Sequence, residues 1–188
     1  MLDILRNPVP SLQRGARHPA AGPRNPRVLP QLSLHSPVGD LTVSEENGAI
    51  VAIDWGWSRD QTETDLLREA RLQLHDYFDG KRDRFALPLA PAGTPYQRRV
   101  WQALCDIPPG ATRTYADIAR VAGGSPRAVG GANGRNPIPI VIPCHRVVAT
   151  TGIGGYSGGE GLPTKRFLLA LEGATAEADD LFTASGRP

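Results

Sequence analysis

The chain has 188 residues, two cysteines, four histidines and a net charge of only +2, enough for one ordinary domain or two small ones around a real hydrophobic core. Two cysteines cannot build a disulfide framework, and with four scattered histidines they offer no ligand spacing for a structural zinc site, so neither a metal nor another cofactor is expected. No apolar stretch approaches the roughly 18 residues that a spanning helix needs, and the proline-rich start lacks a secretory apolar core. A cytoplasmic protein with an unpaired thiol and no membrane partner is the expectation.

Residues 1–27 carry Arg6, Arg14, Arg17, Arg24 and Arg27 against Asp3 alone. Pro8, Pro10, Pro19, Pro23 and Pro26 forbid a regular helix there, so a disordered basic leader is expected, with loose tethering to a polyanion as the functional alternative. Folding should begin near Val28. Strands are predicted at Leu32–Leu34, Leu41–Val43 and Ile50–Trp55, the last two joined by a hairpin turn at Asn47-Gly48, where both residues tolerate positive φ. Leu66, Leu67, Ala70, Leu74, Tyr77 and Phe78 then recur at three- and four-residue spacing, which predicts a helix from Thr62 or Thr64 to about Asp79, stopped by Gly80. A small antiparallel sheet with a helix packed on it fills residues 28–90.

Pro88, Pro91, Gly93 and Pro95 mark the passage into a second, mostly helical unit over residues 91–174. A helix from about Pro95 to Asp106 would bury Val100, Trp101 and Leu104, with Cys105 in the core at its end. A helix-turn-helix follows: Thr114 caps a helix beginning at Tyr115, Gly123-Gly124 makes the turn, and Ser125-Pro126 starts a second helix running to about Gly134. That helix contains Ala128, Gly130, Gly131, Ala132 and Gly134, which is costly at up to about 1 kcal/mol per glycine. Two explanations stand from the residues alone: tight packing on another helix, or a helix slim enough for the DNA minor groove, which is roughly 6 Å wide. Seven arginines between Pro91 and Thr150, Arg98, Arg99, Arg113, Arg120, Arg127, Arg135 and Arg146, stand against Asp106 and Asp117 and suggest one local basic patch.

Pro143-Cys144-His145-Arg146 places a potential thiolate beside an imidazole. A buried structural cysteine next to a surface histidine explains that pair as well as a nucleophile does, because neighbouring side chains need not meet. Pro137, Pro139 and Pro143 stiffen the approach to it, and Ile138, Ile140, Val141 and Ile142 provide apolar walls. Gly154-Gly155-Tyr156-Ser157-Gly158-Gly159 follows, then a helix from Thr164 to Leu171 ending at Glu172, and a small polar tail over residues 175–188.

The ordered blocks Arg127 to Pro137, Pro143 to Val148, Gly154 to Gly159 and Leu168 to Glu172 resemble the O6-alkylguanine-DNA alkyltransferases, strongly from about Thr94 to Gly173 and more weakly back to about Leu32. The resemblance implies an α+β protein: a small ribonuclease-H-like antiparallel sheet plus helix, without catalytic machinery and serving as support, followed by a winged-helix-like DNA-binding and alkyltransferase domain. It implies a monomer that binds double-stranded DNA containing O6-alkylguanine, extrudes the base, and moves its alkyl group irreversibly to Cys144, with O4-alkylthymine as a further possible substrate. His145 would take the thiol proton through a water and Glu172 would orient the imidazole. Tyr115 would donate to the extruded base, and Asn136 would hold the turn near Cys144. Tyr156, Ser157 and Val147 would contact the substrate; Arg127, Ala128, Gly131, Asn133 and Arg135 would meet DNA, with Arg127 filling the gap left by the rotated nucleotide. Here Arg127 directly follows Pro126, where many members have two more residues. A noncatalytic alkylguanine-binding protein, a Cys-His-Glu hydrolase and a transcription factor using the helix-turn-helix are the alternative classes.

Overall fold

The computed structural model describes residues 29–174; the expected leader and tail lie outside the described residues. Strands β1 (Gln31–Leu34), β2 (Leu41–Glu46) and β3 (Ala49–Trp55) form an antiparallel sheet in that order, with Leu32 opposite Val43 and Val43 opposite Ile53. The Asn47-Gly48 turn takes positive φ at both positions, as the two-residue hairpin demands.

Helix α1 (Asp65–Phe78) lies across β1 and β2. Thr64 caps it by accepting from the Leu67 amide, and Leu67, Ala70, Leu74 and Tyr77 face the sheet at helical spacing. As the edge of its sheet, β3 has backbone groups to satisfy elsewhere. Ile50 exchanges hydrogen bonds with Pro88 and Ala90 of the connecting segment, and the Ile53 amide donates to the Pro137 carbonyl at 2.9 Å. The second bond attaches the N-terminal sheet to the segment that carries the thiol.

Helix α2 (Pro95–Cys105) opens on a capping box between Thr94 and Gln97 and buries Val100, Trp101 and Leu104. The Trp101 indole N–H donates to the Ala132 carbonyl at 2.9 Å, a polar tie inside an apolar contact. Short strand β4 (Arg113–Thr114) leads into α3 (Tyr115–Ala122), which begins with a second capping box, Thr114 with Asp117. Gly123 and Gly124 turn the chain at positive φ into α4 (Pro126–Asn133), capped by Ser125 on the Ala128 amide. A single 3-10 turn, Cys144–Arg146, precedes β5 (Val147–Val148), which pairs with β4 in parallel. No sequence pattern marked this two-stranded sheet, since each strand is two residues long. It joins the start of the helix-turn-helix to the thiol segment. Helix α5 (Leu162–Leu171) starts two residues earlier than its predicted Thr164, with Pro163 in its first turn, and Glu172 caps its end.

Most buried apolar residues form one cluster, from Leu32 in the sheet to Leu168 in α5. No helix among the described residues is long and apolar enough to cross a membrane.

Candidate functional site

Cys144 and His145 start the 3-10 turn, and both are buried, at 6% and 0% exposure. Hydrogen bonds from the Cys144 amide to the Ile142 carbonyl and from the Ile142 amide to the Ile138 carbonyl fold the preceding segment into a compact bend. Ile140 sits in that bend at φ +73, a conformation that costs a β-branched residue of order 1–3 kcal/mol and persists only where its surroundings hold it. Asn136 contributes to that hold. Its amide donates to the Ile142 carbonyl at 2.8 Å and its oxygen accepts from the Ile138 amide at 3.0 Å.

His145 Nε2 lies 2.8 Å from Glu172 Oε1. Burial alone would push the Glu172 carboxyl up, but hydrogen bonds from His145 and Arg146, with their charges, bring it down to about 2, so it accepts only. Nε2 therefore carries the proton and Nδ1 has a lone pair. Nδ1 is buried and makes no hydrogen bond to a described residue. Burial pushes the His145 imidazolium below its ordinary range, only partly opposed by Glu172, so the ring rests neutral.

Glu172 collects three further hydrogen bonds: Arg146 Nε to Oε2 and Nη2 to Oε1, both at 2.8 Å, and the Tyr77 hydroxyl to Oε1 at 2.9 Å. Arg146 also donates to the Ile107 carbonyl at 2.5 Å. Its place in the basic patch is thereby corrected: it is 6% exposed and points inward, because the 3-10 turn aims it at the end of α5.

Burial raises the Cys144 thiol above the usual cysteine range, against the opposing influence of the Asn136 amide, the Tyr156 hydroxyl and the Lys165 ammonium. The Tyr156 hydroxyl makes no hydrogen bond of regular geometry, yet it faces the sulfur closely enough to favour the thiolate. The resting sulfur is a protonated thiol surrounded by groups that stabilise its ionised form. Cys105 differs: burial, then the Asp106 charge, push it up to about 12, opposed only by the Arg146 charge.

Lys165 is the residue of the site's surroundings that sequence reasoning missed. It is fully buried, and its ammonium donates to the Val147 carbonyl at 2.5 Å and the Gly155 carbonyl at 3.1 Å. It thus ties the Gly-Gly-Tyr-Ser loop to β5, while burial draws its pKa down to about 8. A lysine three and four residues before the buried Leu168 and Leu169 was the available signal. Val147 itself is fully buried, and its carbonyl is engaged by that ammonium.

A cavity of about 200 Å3 opens beside the sulfur, lined by Cys144, Asn133, Asn136, Pro137, Pro139, Tyr156, Ser157 and Gly158, and by Ile53, Asp54 and Trp55 of β3. The N-terminal sheet therefore forms part of the pocket wall. Trp55 packs so closely under the loop that a β-carbon on Gly158 would lie 2.8 Å from the indole and 2.9 Å from the Tyr156 ring, which only glycine allows. Tyr115 stands between α4 and the loop: β-carbons on Gly130 and Gly154 would lie 3.9 and 3.3 Å from its ring. Burial, then Cys144, raise its hydroxyl, which stays a donor.

Arg127 is the second residue of α4 and exposed, and its guanidinium has no partner among the described residues. Ala128 and Arg135 are exposed, and Arg135 donates to the Gly131 carbonyl at 3.0 Å. A β-carbon on Gly131 would meet only that arginine, at 3.3 Å. The small residues of this face are thus not explained by helix packing. Asn133 corrects the expected DNA face: it shares the inner face of α4 with Val129 and Ala132, is 7% exposed, and donates to the Cys144 carbonyl at 3.3 Å. Four residues after Val129, it must point the same way.

Residues 95–174 match the family model for the DNA-binding domain of 6-O-methylguanine DNA methyltransferase, and residues 32–91 match the ribonuclease-like domain of the same proteins. The constitutive methylated-DNA–protein-cysteine methyltransferase of Bacillus subtilis is 45% identical over 155 residues, covering 74% of this chain and 93% of the relative. The corresponding protein of Methanosarcina barkeri is 46% identical over 151 residues, covering 74% and 94%. Among solved structures, the O6-methylguanine methyltransferase of Mycobacterium tuberculosis aligns with a TM-score of 0.70 at 36% identity, covering 82% of this chain and 99% of that one. OGT from the same organism in complex with DNA aligns at 0.68 and 38% identity, covering 80% and 97%. With both domains matched in order and relatives covered almost end to end, the chain belongs to the 6-O-methylguanine DNA methyltransferase family.

Proposed function

We propose that this protein repairs DNA by moving the alkyl group of O6-alkylguanine directly and irreversibly to Cys144, acting as a cytoplasmic monomer on double-stranded DNA. The observation that carries this reading is the buried Cys144 beside a neutral His145 whose far nitrogen is bonded to an ionised Glu172. The thiol proton passes through a water to His145 Nδ1, and Glu172 stabilises the imidazolium that forms. The thiolate attacks the alkyl carbon in line as the carbon–oxygen bond breaks. The electron pair stays on the guanine oxygen, where the Tyr115 hydroxyl donates to the leaving base. The product is a thioether with no easy hydrolytic exit, so each chain reacts once.

The slim, exposed face of α4 with Arg127 and Ala128 suits the minor groove. Guanine O6 lies in the major groove, so the nucleotide rotates out to reach the sulfur, at a cost of a few kcal/mol of unstacking, and Arg127 fills the gap. Tyr156 and Ser157, held by the Lys165 tie, close over the base. Asn136 and Asn133 act from behind the thiol segment.

The test is duplex DNA carrying radiolabelled O6-methylguanine. At most one methyl per chain should appear on protein, and none on Cys144→Ala. Label released as methanol, or repeated turnover, overturns the proposal. Arg127→Ala should slow duplex repair far more than reaction with free O6-alkylguanine base; equal loss on both refutes its role in the stack.

A further inference from the structure

We propose that Tyr77, on helix α1 of the N-terminal domain, is a positioning residue for alkyl transfer, because its hydroxyl donates to the same Glu172 oxygen that accepts from His145. The inference rests on the His145–Glu172 relay proposed above. Tyr77 is 2% exposed and reaches across 95 residues of chain to Glu172 Oε1 at 2.9 Å. Its ring is set by edge contact with Phe78 and a tilted contact with Phe85, at centroid separations of 5.3 Å each. The hydroxyl therefore has little freedom to aim elsewhere.

Its effect is electrostatic as well as geometric. Oε1 is shared by three donors, His145 Nε2, Arg146 Nη2 and Tyr77, while Oε2 accepts from Arg146 Nε. Arg146 already fixes the plane of the carboxylate by its two bonds. What Tyr77 adds is a neutral donor that takes up part of the charge on the oxygen facing the imidazole. Less of that charge is left to hold the imidazolium, so His145 stays neutral, and able to accept, to lower pH. The charged and titratable groups around the relay are Glu172, Arg146, Lys165, Tyr77, Tyr156 and Cys144, with Lys81, Arg82 and Asp83 across the cavity behind Glu172. Burial, then the Glu172 charge, push the Tyr77 phenol far above its ordinary value, so it remains a donor throughout the working range.

Behind the carboxylate a second cavity of about 290 Å3, lined by Tyr77, Lys81, Arg82, Asp83, Leu171 and Glu172 among others, lies between α1 and the end of α5. Tyr77 and Glu172 both border this space. The N-terminal domain, although it provides no reacting group, sets the basicity of the catalytic histidine from the far side.

Tyr77→Phe removes one hydroxyl and keeps the ring. The rate constant for single-turnover methyl transfer is followed from pH 5 to 9 in wild type, Tyr77→Phe and His145→Gln. The expected result for Tyr77→Phe is an acid limb displaced upward by about half a unit to one unit, with rates on that limb about three- to tenfold lower and the alkaline plateau less affected. In a Glu172→Gln background the same change should shift nothing further. An acid limb that vanishes in His145→Gln but stays in place in Tyr77→Phe overturns the Tyr77 assignment alone, whatever happens to thermal stability. An acid limb that survives in His145→Gln overturns the relay itself.

Discussion

Glu172→Gln tests the energetics of the site most directly. The carboxylate side chain is 3% exposed and Arg146, its ion-pair partner, 7%. Removing the negative charge leaves a buried guanidinium without its counter-charge, which costs about 3–5 kcal/mol in comparable sites. The titration of Glu172 leads to a similar figure. Its carboxyl is lowered from 4.5 to about 2, and at about 1.4 kcal/mol per unit this corresponds to about 3 kcal/mol of stabilisation. Because the folded carboxyl titrates below its unfolded counterpart, that stabilisation is complete above about pH 4.5 and disappears as pH falls toward about 2. Urea unfolding of the wild type and the variant at pH 7, 5, 4 and 3 measures the difference. The stability gap should be about 3 kcal/mol at pH 7 and should narrow steadily through the acid range. Alkyl transfer by the folded variant at neutral pH should also be slower, since the imidazolium loses its anion. A gap below about 1 kcal/mol at pH 7, or one unchanged between pH 5 and 3, would refute the reasoning.

Three further variants separate fold from function. Ala128→Leu adds bulk to an exposed position of α4, so thermal stability should change by less than about 0.5 kcal/mol while duplex affinity falls; unchanged DNA binding would exclude this face from the groove. Trp55→Ala removes the indole under Gly158 and widens the cavity beside Cys144. Competition between O6-benzylguanine and O6-methylguanine substrates should then shift toward the benzyl group, and an unchanged ratio would show that this wall does not limit alkyl size. Lys165→Met replaces a buried ammonium whose pKa falls from 10.5 to about 8 on burial. Since the folded ammonium loses its proton more easily than the unfolded one, wild-type stability should rise as pH increases from about 8 to 10.5. Thermal melts of the methionine variant should lack that rise, and hydrogen exchange should show a less protected Tyr156 loop.

The elements that sequence alone determined are those whose signals are local. Thr64, Thr94, Thr114 and Ser125 each cap the helix that follows, with hydrogen bonds spanning three residues. Asn47-Gly48 forms its turn, Gly123-Gly124 turns α3 into α4, and the apolar spacing of α1 indicates which side meets the sheet. The Pro-Cys-His run supplied a candidate nucleophile, but its chemistry became specific only through the order of motifs around it.

Tertiary structure decided which side chains meet. His145 and Glu172 are 27 residues apart, and Tyr77 and Glu172 are 95 apart; no periodicity encodes such encounters, which depend on how separate elements pack. Arg146 and Asn133 look like surface groups by type, yet one points inward from a 3-10 turn and the other follows the inner face of a helix. The free edge of β3 is likewise invisible in the chain. The bond from its backbone to Pro137 brings this strand against the thiol segment, where Trp55 lines the pocket beside Cys144 and makes it a site shared by both domains. Local hydrogen bonding and patterning specify the elements, whereas long-range burial and pairing specify the chemistry between them.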